Sequence, residues 1–96
     1  MTILHIEHPI RDFDSWQAAF ERDPAGRERS GVRRYRVLRS IDDPNYVMID
    51  LEFDSSSAAE AFLAAMREVW RSPVAAPALV GSPQARIVEM VESKEY

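Results

Sequence analysis

The segment from Val32 to Phe53, VRRYRVLRSIDDPNYVMIDLEF, constrains the fold more than any other part of this 96-residue chain. From Val47 onward, apolar side chains at every second position alternate with polar or mixed ones, which is typical of a strand with one buried face. Asp42-Asp43-Pro44-Asn45 interrupts the alternation, because proline cannot donate to a strand ladder and Asp and Asn bond to nearby backbone. The segment therefore predicts a β-hairpin, and with it a sheet.

Two more strands are predicted on either side of this hairpin. Alternation from Ile3 to His8, ended by Pro9, predicts the first strand, and alternation from Ala85 to Glu92 predicts the fourth. We expect His8 to lie at the protein surface, at the end of its strand. Three prolines and a glycine punctuate residues 73–83, where we predict an ordered, lid-like loop.

Apolar residues at helical spacing predict two amphipathic helices. The first carries aromatic residues at i, i+3 and i+7 from Phe13, and either Asp12 or Asp14 can cap its start. The second follows a run of three serines, in which Ser57 and Glu60 fit a capping box. The resulting element order is βαββαβ, the arrangement called ferredoxin-like. We therefore predict a single α+β domain over residues 1–96, with both helices on one face of a four-stranded antiparallel sheet.

The other face of this predicted sheet, here called the open sheet face, has no helix to cover it. The side chains expected there are those of His5, Glu7, Arg34, Arg36, Leu38, Tyr46, Met48, Asp50 and Glu52. The turn length sets Arg36 opposite Asp50 and Arg34 opposite Glu52, and opposite charges in such positions stabilise a register. Because several of these side chains are apolar, we expect a second copy of the chain to cover the face in a twofold homodimer.

Composition excludes several classes of protein. The net charge of -4 argues against a dedicated nucleic-acid-binding protein, which would normally be basic. The lack of cysteine excludes disulfides and thiolate catalysis, and it is compatible with the cytoplasm, where we expect the protein. The N-terminus does not have the pattern of a signal peptide, and no apolar stretch is long enough to cross a membrane.

The open sheet face also holds the candidate catalytic residues. His5 and Glu7 lie on one face of a strand, near Asp50 if the first and third strands are neighbours, so His5 could act as a general base. One histidine with carboxylates is a weak metal site, and no metal is predicted. The alternative interpretation is a hydrogen-bonded structural cluster inside a dimer.

Candidate ligand-binding residues are Arg34, Arg36, Tyr46, Asp50 and Trp70. The arginines could hold a carboxylate, phosphate or phenolate, although pairing with Asp50 and Glu52 is the simpler role. Trp70 lies at a helix end, where it could be either a core residue or a cavity wall.

The segments FDSWQAAF, SGVRRYRVLRSIDDPNYVMIDLEF and AEAFLAAM resemble those of small uncharacterised, cyclase-labelled bacterial proteins. The element order resembles the dimeric α/β-barrel superfamily, which includes antibiotic-biosynthesis-monooxygenase-like proteins. This resemblance implies a homodimer. In one branch it also implies oxygenation without a cofactor, which relies on Asn, Trp and Tyr side chains in the cavity. Trp70 and Tyr46 could match two of these, but no asparagine matches the third. In the haem-degrading branch a histidine follows the second helix, whereas no histidine follows His8 here. No cofactor is therefore expected.

Three functions remain open from the sequence. The first is a homodimer that binds a small aromatic or hydrophobic ligand in a polar cleft on the open sheet face. The second is a cofactor-independent monooxygenase or polyketide-cyclase-type enzyme acting on an aromatic substrate, with His5 as base and Arg36 facing the oxyanion. The third is a purely structural dimerisation module.

Overall fold

The computed structural model describes residues 1–72 and 80–96. Its elements are β1 (Thr2–Pro9), α1 (Phe13–Glu21), β2 (Arg34–Arg39), β3 (Tyr46–Phe53), α2 (Ser56–Arg71) and β4 (Gln84–Glu89). The strands pair in the order β2-β3-β1-β4, and every pairing is antiparallel. The predicted βαββαβ order and ferredoxin-like fold are confirmed. Residues 73–79 of the predicted lid-like loop lie outside the described residues.

The hairpin has the predicted register. Arg36 lies opposite Asp50 and Arg34 lies opposite Glu52. The turn closes through the Asp43 side chain, whose Oδ1 accepts the Asn45 N–H at 3.0 Å, as expected of an Asp in a turn. Strand β1 then pairs with the far edge of β3, so that His5 lies opposite Asp50. The three strands therefore bring Arg36, Asp50 and His5 into one row across the sheet.

Both helices begin at side chains that accept a backbone N–H. Asp12 caps α1 by accepting the Ser15 N–H at 2.8 Å, which decides between the two predicted caps. Ser55 caps α2 by accepting the Ala58 N–H at 3.2 Å. The predicted capping box at Ser57 is therefore wrong by two residues. The extended backbone ends already at Ser55, and any serine of the run could have served as the cap.

The core lies between the helices and the sheet. Its fully buried large side chains come from the two central strands: Leu4, Val47, Leu51 and Phe53. Burying a side chain of this size stabilises a fold by about 1.5 to 3 kcal/mol. The Phe62 ring of α2 packs 5.6 Å from the Phe53 ring, and the Trp16 and Phe20 rings of α1 stack at 5.0 Å. The alternation of apolar residues in the strands thus predicted which face of the sheet the helices cover.

Strand β4 is shorter than predicted, since it ends at Glu89 rather than Glu92. The Met90 N–H still bonds to the Met1 carbonyl at 3.0 Å. Among the described residues, no helix is long and apolar enough to pass through a lipid bilayer.

Candidate functional site

The sequence-predicted site residues fall into two places, which the sheet separates. Most of them meet on the open sheet face, around His5. Trp70, by contrast, lines a cavity between the helices and the other face of the sheet. The structure therefore does not bring Trp70 into one cleft with the charged residues.

On the open sheet face, His5 joins two carboxylates. Its Nδ1 lies 2.6 Å from Asp50 Oδ1, and its Nε2 lies 2.8 Å from Glu7 Oε2. The second oxygen of Glu7 accepts the Tyr46 hydroxyl at 2.7 Å. Arg36 Nη2 approaches Asp50 from the other side, at 3.7 Å. The result is a connected chain of hydrogen bonds and ion pairs, here called the His5 cluster.

Hydrogen bonds within the His5 cluster shift the pKa values of His5, Glu7 and Tyr46. Only an imidazolium can donate from both ring nitrogens. The hydrogen bond to Glu7, and to a smaller extent the one to Asp50, therefore raise the pKa of His5. The hydrogen bond from His5, and to a smaller extent the one from Tyr46, lower the pKa of Glu7. Bonding to the Glu7 carboxylate raises the pKa of Tyr46. When both bonds are made, His5 has no lone pair left with which to take a proton from a substrate.

The two candidate arginines are on the same face but are differently placed. Arg36 is exposed and reaches the His5 cluster through Asp50. Arg34 is exposed too, one row further along, opposite the buried Glu52. The Arg86 backbone lies directly across from His5 on β4. Cations therefore flank the carboxylates along both outer strands.

The cavity on the helix side has a volume of about 70 Å³. Its walls are mainly aromatic and aliphatic side chains of both helices and the two central strands, among them Trp16, Phe20, Ile49, Met66, Val69 and Trp70. The chain has two tryptophans, and both line this cavity. The charged or polar side chains in the wall are His8, Asp23 and Arg27.

His8 is a cavity residue that the sequence analysis misplaced. It is 2% exposed, so its predicted surface position is wrong. Strand β1 continues through Pro9, and His8 therefore keeps the inward orientation of Leu4 and Ile6. The period of two was the signal that could have placed it correctly. Burial in apolar surroundings lowers the pKa of His8, which favours the neutral imidazole.

Arg27 is the second cavity residue without a predicted role. It follows α1 in a connection where Asp23 adopts a positive φ of 49° and accepts the Arg27 backbone N–H at 2.8 Å. The guanidinium donates from Nη1 to the Phe20 carbonyl at 2.7 Å and lies 4.0 Å from the centre of the Phe20 ring. Arg27 and Asp23 also line an open surface depression of about 330 Å³. The depression and the cavity therefore meet at these two side chains.

Comparison with solved structures identifies proteins of similar fold. A cofactor-independent oxygenase from Streptomyces nogalater aligns with a TM-score of 0.75 and 14% identity, over 96% of this chain and 94% of that one. A monooxygenase from Streptomyces coelicolor, solved in complex with Nanaomycin D, aligns with a TM-score of 0.70 and 16% identity, over 99% and 91% of the two chains. A candidate antibiotic biosynthesis monooxygenase from Nitrosomonas europaea aligns with a TM-score of 0.65 and 21% identity, over 96% and 100%.

This chain has the fold of the antibiotic biosynthesis monooxygenase-like proteins. It matches no family model and no curated protein. A fold shared at this level of identity does not carry residue roles or activity with it. The functional argument therefore rests on the cavity and the open sheet face of this chain.

Proposed function

We propose that this protein binds a small aromatic or otherwise apolar molecule in the cavity between its helices and its sheet. The observation that carries the proposal is the cavity wall, in which both tryptophans and several aliphatic side chains surround a few polar groups. Concave apolar sites with few polar groups are the usual sites for small organic ligands. A protein of similar fold was solved with Nanaomycin D bound, which supports a small-molecule ligand for this fold.

The helix side favours a ligand more than the open sheet face does. On the open face, His5, Asp50, Glu7 and Tyr46 already bond to one another, which leaves few polar groups free for a ligand. The cavity has about 70 Å³, and a water molecule needs about 10 to 15 Å³ by the same kind of measure. It therefore has room for roughly five to seven waters, which is enough space for a small organic group. A larger ligand would have to extend past Arg27 into the surface depression.

Toluene is a suitable probe because it has one ring and no polar group. In the wild type, toluene is expected to shift the two tryptophan indole N–H signals in NMR spectra and to raise the melting temperature. Val69→Phe should abolish both effects, because Val69 lines the cavity and a larger side chain fills it. Ala64→Phe, at an exposed position of the same helix, should leave both unchanged. Equal binding to the two variants, or no shift in the wild type, would refute the proposal.

We further propose that two copies of the chain form a homodimer through their open sheet faces. Leu38 and Val88 are exposed on this side at 45% and 37%, around a charged centre that carries both signs. Such a surface can complement a second copy of itself about a twofold axis. Leu38→Arg should give a monomer by sedimentation. Ile41→Arg, in the turn beyond the face and fully exposed at 100%, should not. A monomeric wild type at tens of micromolar would contradict this arrangement.

Cofactor-independent monooxygenation, or a polyketide-cyclase-type reaction of an aromatic substrate, is the second candidate function. The cofactor-independent oxygenase of similar fold favours oxygenation. The test is turnover of a hydroxyaromatic substrate by three proteins: wild type, Val69→Phe and His5→Ala. Loss in Val69→Phe alone would place the chemistry in the cavity, whereas loss in His5→Ala with an intact dimer would place it at His5. A dimer that neither binds toluene nor turns over would be a structural module. A cytoplasmic location, with which the lack of cysteine is compatible, remains part of this proposal.

A further inference from the structure

His8 is a polar residue in an otherwise apolar part of the core. It points to the helix side of β1, is 2% exposed, and lines the cavity beside Trp16, whose ring centre lies 6.3 Å from its own. Strands β1 and β3 surround it with aliphatic side chains, and α2 contributes Met66 and Trp70. The charged groups of the cavity wall are Asp23 and Arg27, which pair with each other at 3.7 Å. Among the described residues, His8 therefore pairs with no carboxylate.

The tautomer of His8 follows from its one hydrogen bond. Its Nδ1 lies 3.1 Å from the Pro9 carbonyl oxygen, which can only accept, so Nδ1 carries the hydrogen. In the neutral ring, Nε2 is then a hydrogen-bond acceptor. None of the described residues hydrogen-bonds to Nε2. Every fully buried side-chain nitrogen in the described residues has a partner, so Nε2 itself is not fully buried. A burial-lowered pKa keeps the ring neutral at pH 7.

We propose that the cavity selects aromatic molecules that carry a hydroxyl group, with the ligand O–H donating to His8 Nε2 and the ring lying against the tryptophans. This inference rests on the proposed function and specifies the ligand class. An acceptor in an apolar site favours a ligand that can donate, because an unpaired polar atom there is unfavourable. A carboxylate ligand can only accept, so it cannot form a hydrogen bond with Nε2 of neutral His8. The Arg27 guanidinium already donates to the Phe20 carbonyl and forms an ion pair with Asp23.

The test compares two ligands of nearly the same shape, phenol and toluene, on the wild type and two variants. His8→Phe keeps a ring of similar size but removes the acceptor, whereas His8→Gln keeps an acceptor at a similar distance along the side chain. Binding is followed by the indole N–H signals of Trp16 and Trp70. His8→Phe should weaken phenol binding by roughly 3- to 10-fold relative to its effect on toluene, as expected for one hydrogen bond. His8→Gln should restore part of that preference.

A direct measurement on the wild type keeps the inference testable even if a variant fails to fold. The chain has two histidines, so the imidazole signals of His8 can be assigned and followed. Phenol should shift the His8 ring nitrogens more than toluene does, and the His5 signals should stay in place. If toluene and phenol both bind but His8 responds equally to both, this inference fails and the proposed function stands. If neither binds, both fail.

Discussion

The His5 cluster predicts that the protein becomes less stable as pH rises through the neutral range. His5 donates to Asp50 and Glu7 at once only while it is protonated, and these bonds raise its pKa above the ordinary 6.5. The folded state therefore holds a proton that the unfolded state has released. By linkage, the stabilisation is fully present below pH 6.5 and is lost as pH rises through the folded-state pKa of His5.

The size of this effect follows from the two bonds and their exposure. Their lengths are 2.6 and 2.8 Å, which are typical of charge-assisted hydrogen bonds. Such bonds contribute about 1.5 to 3 kcal/mol when buried. The side chains of His5, Glu7 and Asp50 are 32%, 33% and 21% exposed in the single chain, so solvent screens much of this. Deprotonation also leaves one bond in place. We therefore expect a loss of about 1 kcal/mol, or roughly 4 to 8 °C in melting temperature for a domain of this size.

The assay is a pair of measurements over pH 6 to 9. NMR gives the titration midpoint of His5, and denaturant unfolding gives the free energy at each pH. His5→Gln is the control, since it can still donate to a carboxylate but does not titrate, and its stability should be nearly flat over this range. A His5 midpoint at or below 6.5, or a His5→Gln variant with the same loss as the wild type, would refute the reasoning.

Two further predictions concern stability. Ser55→Ala should lower the free energy of unfolding by about 1 kcal/mol, because Ser55 caps α2. Ser57→Ala should change that free energy by less than about 0.5 kcal/mol. Denaturant unfolding measures both, and equal effects would contradict the observed cap. Leu51→Ala should cost about 2 to 5 kcal/mol, since Leu51 is 1% exposed in the core, while Leu38→Ala on the open face should cost under about 1.5 kcal/mol in the monomer by the same measurement.

The sequence predicted the open sheet face better than it predicted the cavity. A strand has a period of two, so the register of one hairpin was enough to set Arg36 beside Asp50, and the neighbouring strand then added His5. The cavity forms between the sheet and two helices, elements that are far apart in the chain. Its size depends on how closely the side chains of α1 and α2 approach the sheet, which periodicity does not determine. Arg27 enters it only because the connection after α1 folds back through Asp23.

The two histidines together set where stability is greatest. Burial lowers the pKa of His8 in the folded state. Below pH 6.5 the unfolded chain therefore binds a proton at His8 that the folded chain does not bind, and stability falls as the pH decreases below 6.5. His5 has the opposite shift, and its stabilisation is lost above pH 6.5. These two groups therefore give a stability maximum near pH 6.5. Above about pH 5, where the carboxylates stay ionised, His8→Phe should flatten the acidic flank alone and His5→Gln the alkaline flank alone. If one substitution flattened both flanks, the two sides of the sheet would be coupled, and the separation of cluster from cavity would not hold.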